Sequence, residues 1–375
     1  MIFAIVLILL TIGSVLFHFL SPWYLTPLAS NWSSIDDALD ITFWVCGTVF
    51  VLVNLFMAYC VIKFRYRKSR RAHYQPENKK LEIWLTVFTS VGVAAMLTPG
   101  LYVWADFINP PEDADTFEII GKQWSWSYRF PGEDGVLGTI DTRHISSDNP
   151  FGMNPDDPNG QDDILVSSNE VHLPIDRPVV ALLRSQDVLH DFAVAQFRVK
   201  MDLVPGMVTQ MWFIPTKLGR YDVLCEELCG MGHYTMRGHV VVDEEADFKA
   251  WLKTHPTYAQ TVSGVGAAAA TADGLSLVVE QGRMLAESRA CVACHSIDGG
   301  SGIGPTWQGL FGKTTTLVDG TTVVVDADYL KESILNPNAK VVQGYAPIMP
   351  PGSYTEAEVE ALITYIRDGM GEDSE

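Results

Sequence analysis

The sequence predicts a multidomain chain: an N-terminal transmembrane helical hairpin, or three helices if the first apolar segment is retained, then a strand-rich domain and a small helical one. Three observations predict it. Long uncharged apolar stretches crowd the first 105 residues, two cysteine pairs lie in different surroundings further on, and a low-complexity run separates those pairs. The length of 375 residues suits two to three domains. At 47% hydrophobic the chain is too apolar to be disordered.

The apolar stretches are Ile2–Leu20, Ile41–Ile62 and Ile83–Ala105, each free of charged side chains. About 20 helical residues cross a hydrocarbon core of roughly 30 Å. One such stretch could be a buried helix of a soluble protein, but three so close together are not. Lys63, Arg65, Arg67, Lys68, Arg70, Arg71, Lys79 and Lys80 lie between the second and third stretches. Positive loops stay cytoplasmic, so everything after Asp106 is expected outside. No basic leader and no convincing cleavage site mark Ile2–Leu20 as a signal peptide, which favours a third helix.

Residues 1–106 carry 8 basic and 6 acidic groups, leaving 18 basic and 39 acidic in the remainder. That exported portion is a poor nucleic-acid binder, which would need a basic footprint. It suits a cationic partner instead. Cys46 and Cys60 fall within the second apolar stretch and read as packing or lipid-facing residues.

The segment 221–237 reads YDVLCEELCGMGHYTMR and brings together Cys225, Glu227, Cys229, His233 and Met236. An exported domain could use such cysteines for disulfides. The close spacing and the neighbouring histidine and methionine oppose that reading. Thiolate, imidazole and thioether together favour copper. Zinc is the competitor, since two cysteines and two histidines make a good tetrahedral set. Two thiolates four residues apart could bridge two metal ions if a second histidine comes from elsewhere. His190, expected at the end of the β-like run 179–184, is the best candidate. Cupredoxin sandwiches build copper sites in this way, from an earlier strand and a late loop.

From about Asn31 to Phe248 the chain resembles the dinuclear CuA subunit II of cytochrome c oxidase. The resemblance rests on a two-helix hairpin, then GKQWSWSYRF, SQDVLHDF, KMDLVPG and CEELCGMGHYTM. It implies a Greek-key cupredoxin sandwich in which Cys225 and Cys229 bridge two coppers. His190 and His233 would each bind one copper, Met236 would be a weak ligand, and the Glu227 carbonyl would complete the set. It further implies magnesium at the Glu227 carboxylate, at the contact with subunit I.

Trp124, Trp126, Tyr128 and Phe130 alternate, which on a strand places them on one face, ordinarily toward a core. The resemblance implies that Trp124 lies over the copper site and receives electrons. It also implies that Glu82, at the cytoplasmic edge of the third stretch, marks a proton path in subunit I. Two departures from the family pattern stand out: a Thr98-Pro99-Gly100 break in the third stretch, and Met207 where an arginine is common.

Residues 254–274 are small and mostly uncharged, as in a linker. Beyond them, Cys291-Val292-Ala293-Cys294-His295 is the CxxCH c-type haem motif. His295 supplies one axial ligand. Met284 is too near the motif to reach the opposite face and Met370 sits near a polar terminus, so Met349, in GYAPIMPPG, is the expected sixth ligand. Residues 276–370 resemble a class I cytochrome c, with GPTWQGLFG and a final amphipathic helix over 355–367. The expected boundaries are 1–30 for the first apolar segment, 31–106 for the hairpin, 107–253 for the CuA domain, 254–275 for the linker and 276–375 for the all-α cytochrome domain.

The combination resembles subunit II of a caa3-type oxidase in a bacterial inner membrane, with both redox domains on the outer, periplasmic side. It would pass electrons from an external, cationic cytochrome or other donor through haem c and CuA to subunit I, which reduces oxygen and pumps protons. The alternatives are the electron-accepting subunit of a CuA-type nitric oxide reductase, or a membrane-tethered copper and haem protein outside any oxidase. A quinol oxidase subunit lacks the copper cysteines and is disfavoured by Cys225 and Cys229.

Overall fold

The computed structural model describes residues 2–21, 26–71, 75–146, 149–262, 278–279, 281–283, 285–286, 289, 291–352 and 354–369. The chain divides into two compact units, residues 1–110 and 111–375. Met284, Met370, residues 263–275 of the expected linker and the first two residues of the expected cytochrome domain lie outside the described residues.

The first unit holds three helices, α1 (Ile2–Leu20), α2 (Ser33–Lys63) and α3 (Lys79–Phe107), each long and apolar enough to span a membrane. They display large apolar side chains outward, among them Trp44, Phe56, Trp84 and Phe88, as helices surrounded by lipid do. α1 packs on α2 through His18 against Phe43 and Phe19 against Trp44. Asn78 caps α3 by accepting from the Leu81 N–H at 3.1 Å. The expected break at Thr98-Pro99-Gly100 is absent, because α3 runs through Pro99. In hydrocarbon no water competes for the backbone, so helical bonding persists on both sides of a proline.

The second unit begins with a β-sandwich. One sheet has the order β3-β2-β1-β5-β8 and the other β4-β10-β9-β6-β7. The strands are β1 (Asp115–Lys122), β2 (Ser125–Phe130), β3 (Ile164–Val166), β4 (Glu170–Pro174), β5 (Val179–Ser185), β6 (His190–Val194), β7 (Val199–Leu203), β8 (Thr209–Phe213), β9 (Gly219–Cys225) and β10 (Arg237–Asp243). Alternation drives the burial. In β10, Gly238, Val240 and Val242 point inward while their neighbours stay partly wet. Ile119, Tyr128, Leu173, Leu183, Phe192, Leu203 and Phe213 fill the space between the sheets.

β2 departs from simple alternation because it is covered on both faces. Trp126, Tyr128 and Phe130 are buried, and so is Arg129. Arg129 bonds Glu118 at 2.8 Å, Asp163 at 2.7 Å and the Gly138 carbonyl at 2.7 Å, and Glu118 also pairs with Arg184. A guanidinium so enclosed needs this full set of acceptors to offset its desolvation.

The sandwich extends past residue 253, into the segment expected as linker. After α4 (Glu245–Leu252), residues 254–262 return to the sheet and end in α5 (Tyr258–Val262). The Leu165 N–H donates to the Pro256 carbonyl, the Tyr258 N–H to the Asp163 carbonyl, and the Tyr258 ring is buried. The buried Tyr258 ring anchors that run.

The haem-motif region forms its own core around Trp307, Leu330, Val359, Leu362 and Ile366. Among the described residues it contains α6 (Ala327–Leu335), capped by Asp326, and α7 (Glu356–Thr364), which opens on a Thr355/Glu358 capping box, besides helical residues within 278–286. A π turn, Tyr365–Gly369, continues α7 over the rest of the expected final helix. A two-stranded hairpin, β11 (Thr314–Thr316) and β12 (Thr322–Val324), adds strand to a domain expected to be all helix.

Candidate metal and haem sites

Four segments build the first site. His190 opens β6 in the second sheet, and does not end the run 179–184 as expected. Cys225 ends β9, Cys229 lies in the following loop, and His233 begins the 3₁₀ turn that leads to Met236 and β10. The backbone closes this loop, with the Cys225 N–H donating to the Met236 carbonyl at 3.2 Å.

The two sulfurs of Cys225 and Cys229 are 3.7 Å apart. Cys229 Sγ lies 3.6 Å from His233 Nδ1 and 3.8 Å from Met236 Sδ, and Cys225 Sγ lies 3.2 Å from the Glu227 carbonyl. The donor atoms of His190, Cys225 and Cys229 all fall within 4.8 Å of one another. His190 Nε2 is held by Asp187 Oδ1 at 2.8 Å, while Nδ1 is buried with no hydrogen-bond partner among the described residues. Such a held imidazole with one ring nitrogen left over is how a metal-binding histidine is oriented.

The electrostatics prepare these donors unequally. Burial pushes the Cys225 thiol up, but His190, the backbone at Asp191 and Glu227, and His233 outweigh it and bring it down to about 6. Burial and then the charge on Cys225 push Cys229 up to about 12. Burial lowers His190, and Asp187 and Cys225 more than restore it. Two sulfurs, two imidazoles and a thioether, most of them buried, fit a copper pair better than a hydrated ion.

Trp124 is not on β2. It sits in the turn between β1 and β2, half-buried, so the period-two argument that grouped it with Trp126 does not apply. Trp126 and Tyr128 are core, packed edge-on to Phe192. In that turn the Trp124 indole N–H and the Gln123 carboxamide both donate to the Cys229 carbonyl, at 3.2 and 2.8 Å. The Gln123 backbone N–H donates to Asp187 Oδ2 at 2.7 Å, so Asp187 ties this turn to His190.

The second site is a cavity of about 240 Å³ lined by Cys291, Cys294, His295 and Met349 together with apolar groups such as Leu310, Leu330 and Ile348. Close-packed small domains do not keep such a space without a use for it. His295 Nδ1 donates to the Pro305 carbonyl at 2.7 Å, which leaves Nε2 for a ligand. The ring stacks on Trp307 at 5.2 Å, and burial lowers its pKa. A Cβ on Gly304 would lie 2.6 Å from the imidazole, so only glycine admits the ring there. The residues fit a covalently attached haem with His295 and Met349 on a common cavity. Gln123, Trp124, Met231 and Gly232 of the sandwich form part of the same wall.

Glu82 lies in the first turn of α3 and is exposed, Met207 is exposed beside Gly206, and the Glu227 side chain is half-buried. Sequence reasoning missed Asp187, Gln123, Gly232 and the Arg129 network. Asp187, three residues before His190, was the one with a local signal.

Fold and sites together define a membrane-anchored electron-transfer protein with a copper-type sandwich and a haem c domain. Residues 116–244 match the family described as cytochrome c oxidase subunit II, periplasmic domain, and residues 279–369 match cytochrome c. The chain is 58% identical over 256 residues to the alternative cytochrome c oxidase subunit 2 of Bradyrhizobium diazoefficiens, covering 68% of this chain and 92% of that one. It is 25% identical over 344 residues to cytochrome c oxidase subunit 2 of Alkalihalophilus pseudofirmus, covering 89% of this chain and 86% of that one. Among solved structures, the periplasmic domain of subunit II of cytochrome oxidase from Bradyrhizobium japonicum matches at 28% identity with a TM-score of 0.29, covering 39% of this chain and 96% of that one. The chain belongs to the cytochrome c oxidase subunit II family, with CuA and haem c as its cofactors.

Proposed function

We propose that this chain is subunit II of a caa3-type cytochrome c oxidase in a bacterial inner membrane. In this reading Cys291 and Cys294 attach the haem, and His295 and Met349 bind its iron. Cys225, Cys229, His190, His233, Met236 and the Glu227 carbonyl hold the two coppers. Copper bound there would supply a one-electron site shared between two metals, and haem bound at its cavity would supply a second one-electron carrier.

The protein's own groups do the rest. Trp124 forms part of the haem cavity wall and donates to the carbonyl of a copper-ligand cysteine, so it bridges the two sites; that single observation carries the reading. Asp187 holds His190 and the Trp124 turn in register. The acidic exported portion draws a cationic donor. The Glu227 carboxylate would be available to a magnesium ion at the contact with subunit I, and Glu82 would serve proton uptake there.

Electron paramagnetic resonance on the metal-loaded full chain tests the copper assignment: hyperfine splitting from two equivalent nuclei is expected, and a single-copper pattern would overturn it. Rapid reduction of the haem, with the copper absorption followed in time, tests the order of transfer. Copper reduced before the haem by the same donor would reverse it. In the assembled oxidase, Glu82→Ala should slow proton uptake with both optical signatures intact, and a silent variant would remove Glu82 from the mechanism.

A further inference from the structure

The loop that carries Cys229 continues Gly230-Met231-Gly232, and the Trp124 indole lies across both glycines. A Cβ on Gly232 would stand 2.3, 2.6 and 2.8 Å from Cδ2, Cε3 and Cε2 of that ring. Gly230 has φ +115°, and its Cβ would meet Gln123 Nε2 at 2.8 Å and Trp124 Cζ2 at 3.3 Å. An indole is rigid, so it cannot bend away from a new methyl as a flexible chain end could. Nor can it slide while its N–H donates to the Cys229 carbonyl. The ring is therefore clamped between a glycine shelf and a single hydrogen bond, on the wall of the cavity that contains His295.

We infer that Gly232 is a positioning residue for electron transfer between haem and copper, acting through the Trp124 indole that it allows to lie against the copper-ligand loop. This rests on the reading of Trp124 as the bridge between the two sites. Any side chain at 232 pushes the ring off the loop, breaking its bond to Cys229 and moving it relative to the haem cavity. Gly232 offers no side chain to the electron path and acts only through the ring it admits.

The test is Gly232→Ala in the full chain, alone and in a Trp124→Ala background. Hydroxyl-radical footprinting of the metal-free protein should show stronger labelling of Trp124 in Gly232→Ala. In the loaded protein, haem-to-copper transfer should slow by roughly tenfold or more, the scale at which small misplacements are felt. The copper hyperfine pattern and both midpoint potentials should be unchanged. In the Trp124→Ala background, Gly232→Ala should add nothing, because its only route is the missing ring.

Wild-type labelling and rate in Gly232→Ala would overturn the inference, as would an equal slowing in the Trp124→Ala background. If the single variant loses copper, recovery in the double variant supports the clash with the indole, and continued loss overturns it. If Trp124→Ala alone leaves transfer unchanged, the bridge reading fails instead, and the footprint still reports the packing.

Discussion

Asp187 Oδ1 lies 2.8 Å from His190 Nε2, and the same carboxylate takes the Gln123 backbone N–H through its other oxygen at 2.7 Å. One side chain thus orients the imidazole of His190, a proposed copper ligand, and anchors the turn that carries Trp124. Asp187→Asn should weaken copper binding about 10- to 100-fold, the usual cost of losing an outer-shell partner. Competition with a copper chelator would measure it, with haem content as the control.

Trp124 should matter for rate and not for metal content. Trp124→Ala should slow haem-to-copper transfer with a normal copper signal, since the indole N–H reaches the site through a backbone carbonyl and not through a metal-binding side chain. Stopped-flow reduction of the loaded chain would read this.

The proposed haem ligands should act on one centre alone. Met349→His should lower the haem potential, because thioether ligation raises it. The copper hyperfine pattern should stay as in the wild type, because Met349 lines the haem cavity and the copper donors belong to the sandwich. A redox titration followed at the haem bands would check the first point.

His255 sets an acid limit on stability. Its pKa falls from 6.5 to about 4, through burial and then the charges of His172 and Arg283. The ring packs edge-on to Trp251 at 4.6 Å. A histidine depressed in the folded state binds fewer protons folded than unfolded. Its contribution is therefore complete above pH 6.5 and is lost as pH falls toward 4. His255→Phe, which keeps an aromatic ring and cannot ionise, should flatten the fall in Tm between pH 7 and 4.

Arg129 holds a fully buried ion network together in the sandwich. Arg129→Leu would leave Glu118 and Asp163 buried without their shared cation, at a cost of about 3–5 kcal/mol. Thermal unfolding of the full chain should show a marked fall in Tm.

The sequence alone determined the membrane helices, the presence of a copper-type donor set and the haem attachment motif. Each is local: apolar length, the spacing from Cys225 to Met236, and Cys291 to His295 depend on a few neighbouring residues. Local patterns misled where surroundings decide. Pro99 does not end α3, and Tyr258 pulls the first part of the expected linker onto the sandwich. Only the tertiary structure decided which strand His190 belongs to, that Trp124 leaves the strand pattern, and that Asp187, Trp124 and Gly232 converge on one loop. Those relationships join residues about 60 to 110 positions apart, such as Gln123 with Asp187 and Trp124 with Cys229. The pairing of β1 with β5 and the packing of two sheets bring them together, and no spacing along the chain records that.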